Sequence, residues 1–154
     1  VYVAVVGPGD GATTDDLAAA DEVGRLLAAA GAIVLTGGLG GVMAAATEGA
    51  RMAGGVTVAL QPGPVRAPSS ATVVIPTGLG ELRNALLVRA ADAVIAIGGS
   101  WGTLSEIALA RRAGVPLVCL GGWEVRDGSG AVFDLPRAQS PAEAVALTLD
   151  VPLR

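Results

Sequence analysis

Asp92-Ala-Val-Ile-Ala-Ile-Gly98-Gly99-Ser100-Trp101-Gly102-Thr103-Leu104-Ser105-Glu106 is the stretch that decides the fold. Its first half, Ala93 to Ile97, is apolar at every position and too short for a helix, as a strand buried on both faces must be. The run breaks on two glycines and reopens as a helical pattern from Leu104 to Arg112. A strand, a glycine turn and a helix make the repeating unit of a parallel sheet with helical crossovers.

The unit recurs outward in both directions. Val1 to Val6 runs into Gly7-Pro8-Gly9-Asp10-Gly11 and a helix from about Asp15 to Ala30, with Val23, Leu26, Leu27 and Ala30 on one face and Gly31 ending it. Ala32 to Leu35 passes through Thr36-Gly37-Gly38-Leu39-Gly40-Gly41 into a helix from Val42 to Met52. Val56 to Leu60 forms the third strand, Gln61 to Ala71 a proline-bearing loop, and Thr72 to Ile75 the fourth strand. Thr77-Gly78-Leu79-Gly80 then leads to a helix through Arg83 to about Ala90. Beyond the opening stretch, Leu117 to Leu120 is the sixth strand, and Gly121 to Gln139 reads as a loop or irregular hairpin around Trp123 and Phe133. Ser140-Pro141-Ala142-Glu143 is a capping box opening a last helix to about Leu149. The pattern predicts one α/β, Rossmann-like domain over 1–154, a doubly wound, mainly parallel sheet with helices on both faces. In chain order its strands are expected to lie as 3-2-1-4-5-6.

Composition removes whole classes of chemistry. The chain of 154 residues is 52% hydrophobic and 3% aromatic, and its ten basic residues are all arginines, with no lysine and no histidine. Pyridoxal Schiff bases, lysine nucleophiles, phosphate-loop lysines, Ser-His-Asp relays and imidazole metal ligands are therefore excluded. The lone Cys119 leaves no internal disulfide and no cysteine-rich zinc site, and it reads as a buried strand residue; no metal site is expected. Net charge is −4 and the arginines are scattered from Arg25 to Arg154, which argues against nucleic acid as a partner. The longest uncharged stretch, Leu26 to Thr47, carries five glycines and two threonines and does not read as a membrane span. Val1 opens directly into a strand-like run with no charged leader, so a cytoplasmic protein is expected.

In a doubly wound sheet the strand carboxyl ends share one edge, and ligands bind along it. Glycine turns and helix N-termini there present free N–H groups to anions, phosphate above all. Gly7, Gly9, Gly37, Gly38, Gly40, Gly98, Gly99 and Gly102, with Ser100 and Thr103, are the candidates for such contacts; the alternative is that these glycines only let strands and helices pack closely. Gly7-x-Gly9-x-x-Ala12 fits a loose dinucleotide fingerprint. A redox dinucleotide also needs an acidic residue at the end of the second strand, and there the chain has Leu35-Thr36-Gly37, with no carboxylate before Glu48.

The Gly98 to Glu106 segment, preceded by Gly80-Glu81-Leu82-Arg83-Asn84, resembles the GGxGTxxE motif and upstream arginine of the LOG-type phosphoribohydrolases, long mislabelled lysine decarboxylases, and of the related molybdenum-cofactor carrier proteins. The likeness is nearest to a small bacterial branch beside the carriers and extends over nearly the whole chain. It implies that the Gly98 to Thr103 turn holds a nucleotide phosphate, that Arg83 and Glu106 match the catalytic pair, and that the protein is a homo-oligomer, dimer or tetramer. The hydrolases carry proline before the glycine pair and an arginine-lysine pair upstream, whereas this chain has Ile97 before Gly98 and asparagine at position 84. Those departures fit the carrier-like branch.

Elementary chemistry allows both roles. Cleaving a base from ribose 5′-phosphate develops oxocarbenium character that a carboxylate such as Glu106 can stabilise, or it can activate water. Arg83 offers a planar fork for phosphate or carboxylate. The plainer alternatives are that Thr103 and Glu106 form only a helix capping box, and that Arg83 is solvated. Asn84 either bonds a phosphate or sugar or caps a turn. Trp101 either stacks on a base or wedges a subunit contact. Asp10 either faces a ribose or metal or stabilises its turn. Two functions follow: binding of a phosphorylated nucleotide or nucleotide-like cofactor such as a molybdopterin-type ligand, with no further cofactor required, or nucleoside 5′-monophosphate phosphoribohydrolase activity.

Overall fold

The structure, a computed structural model, describes residues 1–150; residues 151–154 of the expected 1–154 domain lie outside the described residues. Among them are β1 (Tyr2–Val6), α1 (Thr14–Ala29), β2 (Ile33–Thr36), α2 (Val42–Met52), β3 (Thr57–Gln61), β4 (Val73–Pro76), α3 (Arg83–Ala90), β5 (Ala93–Ile97), α4 (Trp101–Ala113), β6 (Leu117–Leu120), β7 (Arg137–Ala138) and α5 (Pro141–Leu149). The strands form one sheet in the order β4-β3-β2-β1-β5-β6-β7, and every adjacent pair is parallel. This is the expected Rossmann-like α/β architecture. Among the described residues no helix is long and apolar enough to cross a membrane.

The strand order corrects the sequence expectation at one strand. β4 does not cross back to lie between β1 and β5; it extends the sheet beyond β3, with Val58 beside Val73 and Leu60 beside Ile75. The physical reason is burial. Val73 and Ile75 are both 43% exposed, which suits an edge strand and would be impossible in the doubly covered middle of a parallel sheet. The β3–β4 connection carries no helix, and the buried Gln61 holds it instead, its amide donating to the Ala67 carbonyl at 3.0 Å and its oxygen accepting from the Ala67 N–H at 2.8 Å. The expected hairpin survives as a single antiparallel bridge between Arg126 and Val132, but the same segment also supplies β7.

Alternation along each strand splits the core in two. Val3, Val5, Val34 and Ile95 join Val23 and Leu27 of α1 and Val145 of α5 on one face. Ala4, Val6 and Val94 join Leu87 and Val88 of α3 and Ala110 of α4 on the other. Fully buried side chains such as Leu27 and Leu87 contribute roughly 1.5–3 kcal/mol each by leaving water. Chain direction sets the site: crossovers from β1 run to one face and those into and out of β5 to the other, so the order reverses between these neighbours, and a crevice opens at their carboxyl ends.

Candidate functional site

Arg83 is the first residue of α3 and Glu106 lies in the second turn of α4; the two helices pack side by side. Both side chains are buried, Arg83 at 4% and Glu106 at 5% exposure, so the alternative of a solvated arginine is overturned. Arg83 Nη1 stands 3.6 Å from Glu106 Oε1, an ion pair too long for a hydrogen bond. The buried Nε and Nη1 of Arg83 have no hydrogen-bond acceptor. The guanidinium lies against the turn after β2, where a Cβ on Gly37 would sit 2.5 Å from Arg83 Cζ. Only glycine leaves that space.

Burial dominates the electrostatics. Desolvation raises the Glu106 carboxyl from the ordinary glutamate value to about 7, because the attraction of Arg83 at 3.6 Å only partly offsets it. Burial pulls Arg83 below the usual arginine range, with Glu106 opposing, yet a guanidinium stays charged at any physiological pH. Near neutrality the pair is a fixed cation beside a carboxyl poised between its two protonation states.

Above this pair opens a cleft of about 350 Å³, bordered by the turn after β1, the start of α4, Arg83 and Asn84. The helix start differs from the expected capping box. Ser100, not Thr103, is the N-cap: its Oγ accepts from the Thr103 N–H at 3.1 Å and lies 2.8 Å from Thr103 Oγ1. α4 therefore begins at Trp101, three residues earlier than expected, and Glu106 faces the cleft and not the cap. The first amides of the helix, on Trp101 and Gly102, have no intrahelical acceptor. Asn84 Nδ2 donates to Ser105 Oγ at 3.2 Å, and Ser105 Oγ donates to the Gly102 carbonyl at 2.7 Å, tying α3 to this first turn.

Of the expected residues, Gly7, Gly9, Arg83, Asn84, Ser100, Trp101, Gly102, Thr103 and Glu106 meet around the cleft. Gly37 underlies Arg83, while Gly38 and Gly40 border a separate hollow beside Thr47 and Ser69. Gly98 backs onto the Asp16 carboxylate, and Gly99 onto the Trp123 ring. Leu39, Met43 and Pro62 also line the cleft and were not anticipated. Met43, at 6% exposure, has the signature of an ordinary core residue, and no local pattern separates the two roles. Counting back from Glu106 also refines the motif: Ser100 stands at the second glycine, and Gly98, not Ile97, at the proline of the hydrolases.

The profile of the SLOG cluster4 family matches residues 1–145. The chain belongs to the SLOG cluster4 family. An uncharacterised protein of Archaeoglobus fulgidus is 37% identical to this SLOG chain over 137 residues, 88% of this chain and 89% of that protein. The structure of the molybdenum cofactor binding protein from the phototrophic bacterium Rippkaea orientalis matches it with a TM-score of 0.83 at 34% identity, covering 95% of this chain and 93% of that one. The molybdenum cofactor carrier protein of Chlamydomonas reinhardtii matches with a TM-score of 0.80 at 32% identity, covering 94% and 93%.

Proposed function

We propose that this SLOG protein is one ligand-binding domain that holds a phosphorylated nucleotide or nucleotide-like cofactor at the carboxyl edge of its sheet, as a carrier of a molybdopterin-type ligand does. The observation that carries this reading is the pair of buried, acceptor-free donors on Arg83, Nε and Nη1, at the floor of the cleft. A buried donor left unpaired costs about 1–3 kcal/mol, more when charged, and an anion removes that cost. The free amides of Trp101 and Gly102 at the positive end of α4 add to the same anion site, with Ser100, Thr103, Gly7 and Gly9 around it. A molybdopterin-type cargo holds its metal through its own sulfur atoms. The chain then needs to supply only phosphate donors and a bed for a fused ring, which Arg83, the α4 amides and Trp101 are suited to provide. The molybdenum cofactor binding and carrier proteins matched above support the same reading. Exposed Leu82, just before α3, and Leu86, on it, support self-association, as dimer or tetramer.

A second reading is favoured by one observation, the Glu106 carboxyl raised to about 7 within the cleft. In its charged form Glu106 takes a proton from water as the water oxygen bonds the anomeric carbon. The carbon–nitrogen bond breaks as that bond forms, never after it, its electron pair leaving on the base, and the proton taken by Glu106 passes to the departing base. Calorimetric binding of nucleoside 5′-monophosphates and of a molybdopterin-type ligand, run beside chromatographic detection of released base, separates the readings. Binding without release in both wild type and Glu106→Gln identifies a carrier, whereas release abolished by Glu106→Gln identifies a hydrolase. Binding unchanged in Arg83→Met refutes the anion site itself.

A further inference from the structure

Trp101, which lines the cleft, pairs with Trp123, the chain's other tryptophan, their ring centroids 5.1 Å apart and their planes at 80°. Trp101 lines the cleft with 80% of its surface exposed, although an indole is among the side chains that gain most from cover. Trp123 is held at its ring and at its backbone. Its ring rests on Gly99, where a Cβ would come within 2.5 Å of Trp123 Cδ1 and 2.7 Å of Nε1. Its carbonyl accepts from Arg137 Nη2 at 2.7 Å, and the Gly121 carbonyl from Nη1 of the same guanidinium at 2.9 Å. The indole of Trp101 in turn stands edge-to-face with this anchored ring. Whichever ring supplies the edge, at least one face of Trp101 stays open.

We infer that Trp101 is the stacking platform for a flat, fused heteroaromatic ring carried by the phosphorylated ligand, and that Trp123, clamped by Arg137, is the positioning residue that sets its plane. The inference rests on the anion site proposed above and adds how the ligand's planar purine- or pterin-like ring is told from phosphate alone: by the Trp101 face that Trp123 orients. Leu39, half exposed, and Met43 give the same cleft further apolar surface for such a ring. Trp101 then serves twice, its amide at the phosphate end and its indole under the ring. The role also accounts for β7, whose Arg137 holds the Trp123 segment in place.

With both tryptophans in this one pair, intrinsic fluorescence reports on the platform directly. Affinities of adenosine 5′-monophosphate, guanosine 5′-monophosphate and ribose 5-phosphate are measured by calorimetry beside tryptophan emission. Stacking tolerates any flat ring, so the purine probes suffice. The expected result is that the nucleotides bind roughly 10- to 100-fold tighter than ribose 5-phosphate and quench emission, while ribose 5-phosphate does not quench. Trp101→Ala brings the affinity ratio close to one, Trp123→Ala lowers it, and Trp123→Phe, which keeps an aromatic edge, restores it. Nucleotides that bind no tighter than ribose 5-phosphate in the wild type overturn the platform, and this outcome does not depend on any variant folding. A ratio preserved in Trp101→Ala, with loss of the oligomer in light scattering, also overturns it and makes the indole a subunit contact. Failure of ribose 5-phosphate itself to bind refutes the underlying anion site instead.

Discussion

Replacing Glu106 by glutamine tests the electrostatics of the cleft in the absence of any ligand. The carboxyl titrates near 7 in the folded protein and near 4.5 once unfolding returns it to water. Between those values the native state holds a proton that the unfolded state has released, so stability falls as pH rises through the window. Each pH unit is worth about 1.4 kcal/mol, and the whole interval about 3 kcal/mol. Glutamine imitates the neutral form at every pH and lacks this slope. Urea denaturation of both proteins, followed by circular dichroism from about pH 5 to 8.5, is expected to show near-equal stability at the acid end. The glutamine variant should draw ahead by roughly 2–3 kcal/mol at the alkaline end, with the difference level above about pH 8. Exposed carboxylates such as Glu22 and Glu48, held low by their hydrogen-bonded arginines, act in both proteins and cancel in the difference. A difference that changes by less than about 0.5 kcal/mol over this range would refute the burial argument, and one of opposite sign would mean that Arg83 keeps the carboxylate charged.

Two further outcomes are expected. Gly37→Ala places a methyl group where the Arg83 guanidinium lies, so ribose 5-phosphate affinity measured by calorimetry should fall about tenfold or more, as in Arg83→Met, with the far-ultraviolet spectrum unchanged. Wild-type affinity in Gly37→Ala would show that the guanidinium does not bind the anion from this position. Thr13→Ala removes the acceptor of the 3.1 Å bond from the Asp16 N–H in the capping box of α1 and should lower stability by about 1 kcal/mol, read as a drop of roughly 2–4 °C in scanning calorimetry. Ligand affinity in Thr13→Ala is expected to stay at the wild-type level.

Most elements were legible in the sequence because their signals are local. The helix over Val42 to Met52 and the strand over Ala93 to Ile97 fall where periodicity and glycine turns put them. The motif carrying Arg83 and Glu106 marked two side chains that the fold brings to 3.6 Å. What escaped depends on partners distant in sequence. Thr72 to Ile75 has the composition of any short strand, and only the exposure of Val73 and Ile75 reveals an edge. Thr103-Leu104-Ser105-Glu106 satisfies a capping pattern, but Ser100 is three residues nearer the turn and takes the Thr103 amide first. Gly37 looked like part of a phosphate turn, and its neighbour proved to be an arginine 46 positions away.

By itself the sequence determined the parallel α/β architecture and the edge that carries the candidate site, since strand burial, glycine turns and helix starts follow from a few adjacent residues. It also ruled out lysine and imidazole chemistry, because those residues are not in the chain, and an internal disulfide, because Cys119 is alone. Tertiary structure alone decided which elements stand side by side and what happens to buried charge. The edge position of β4, the acceptor-free guanidinium of Arg83 over Gly37, the protonation of Glu106 and the pairing of Trp101 with Trp123 all arise from desolvation and contact between segments far apart in the chain. No local pattern encodes those quantities, because desolvation is set by everything that packs around a group once the chain has folded.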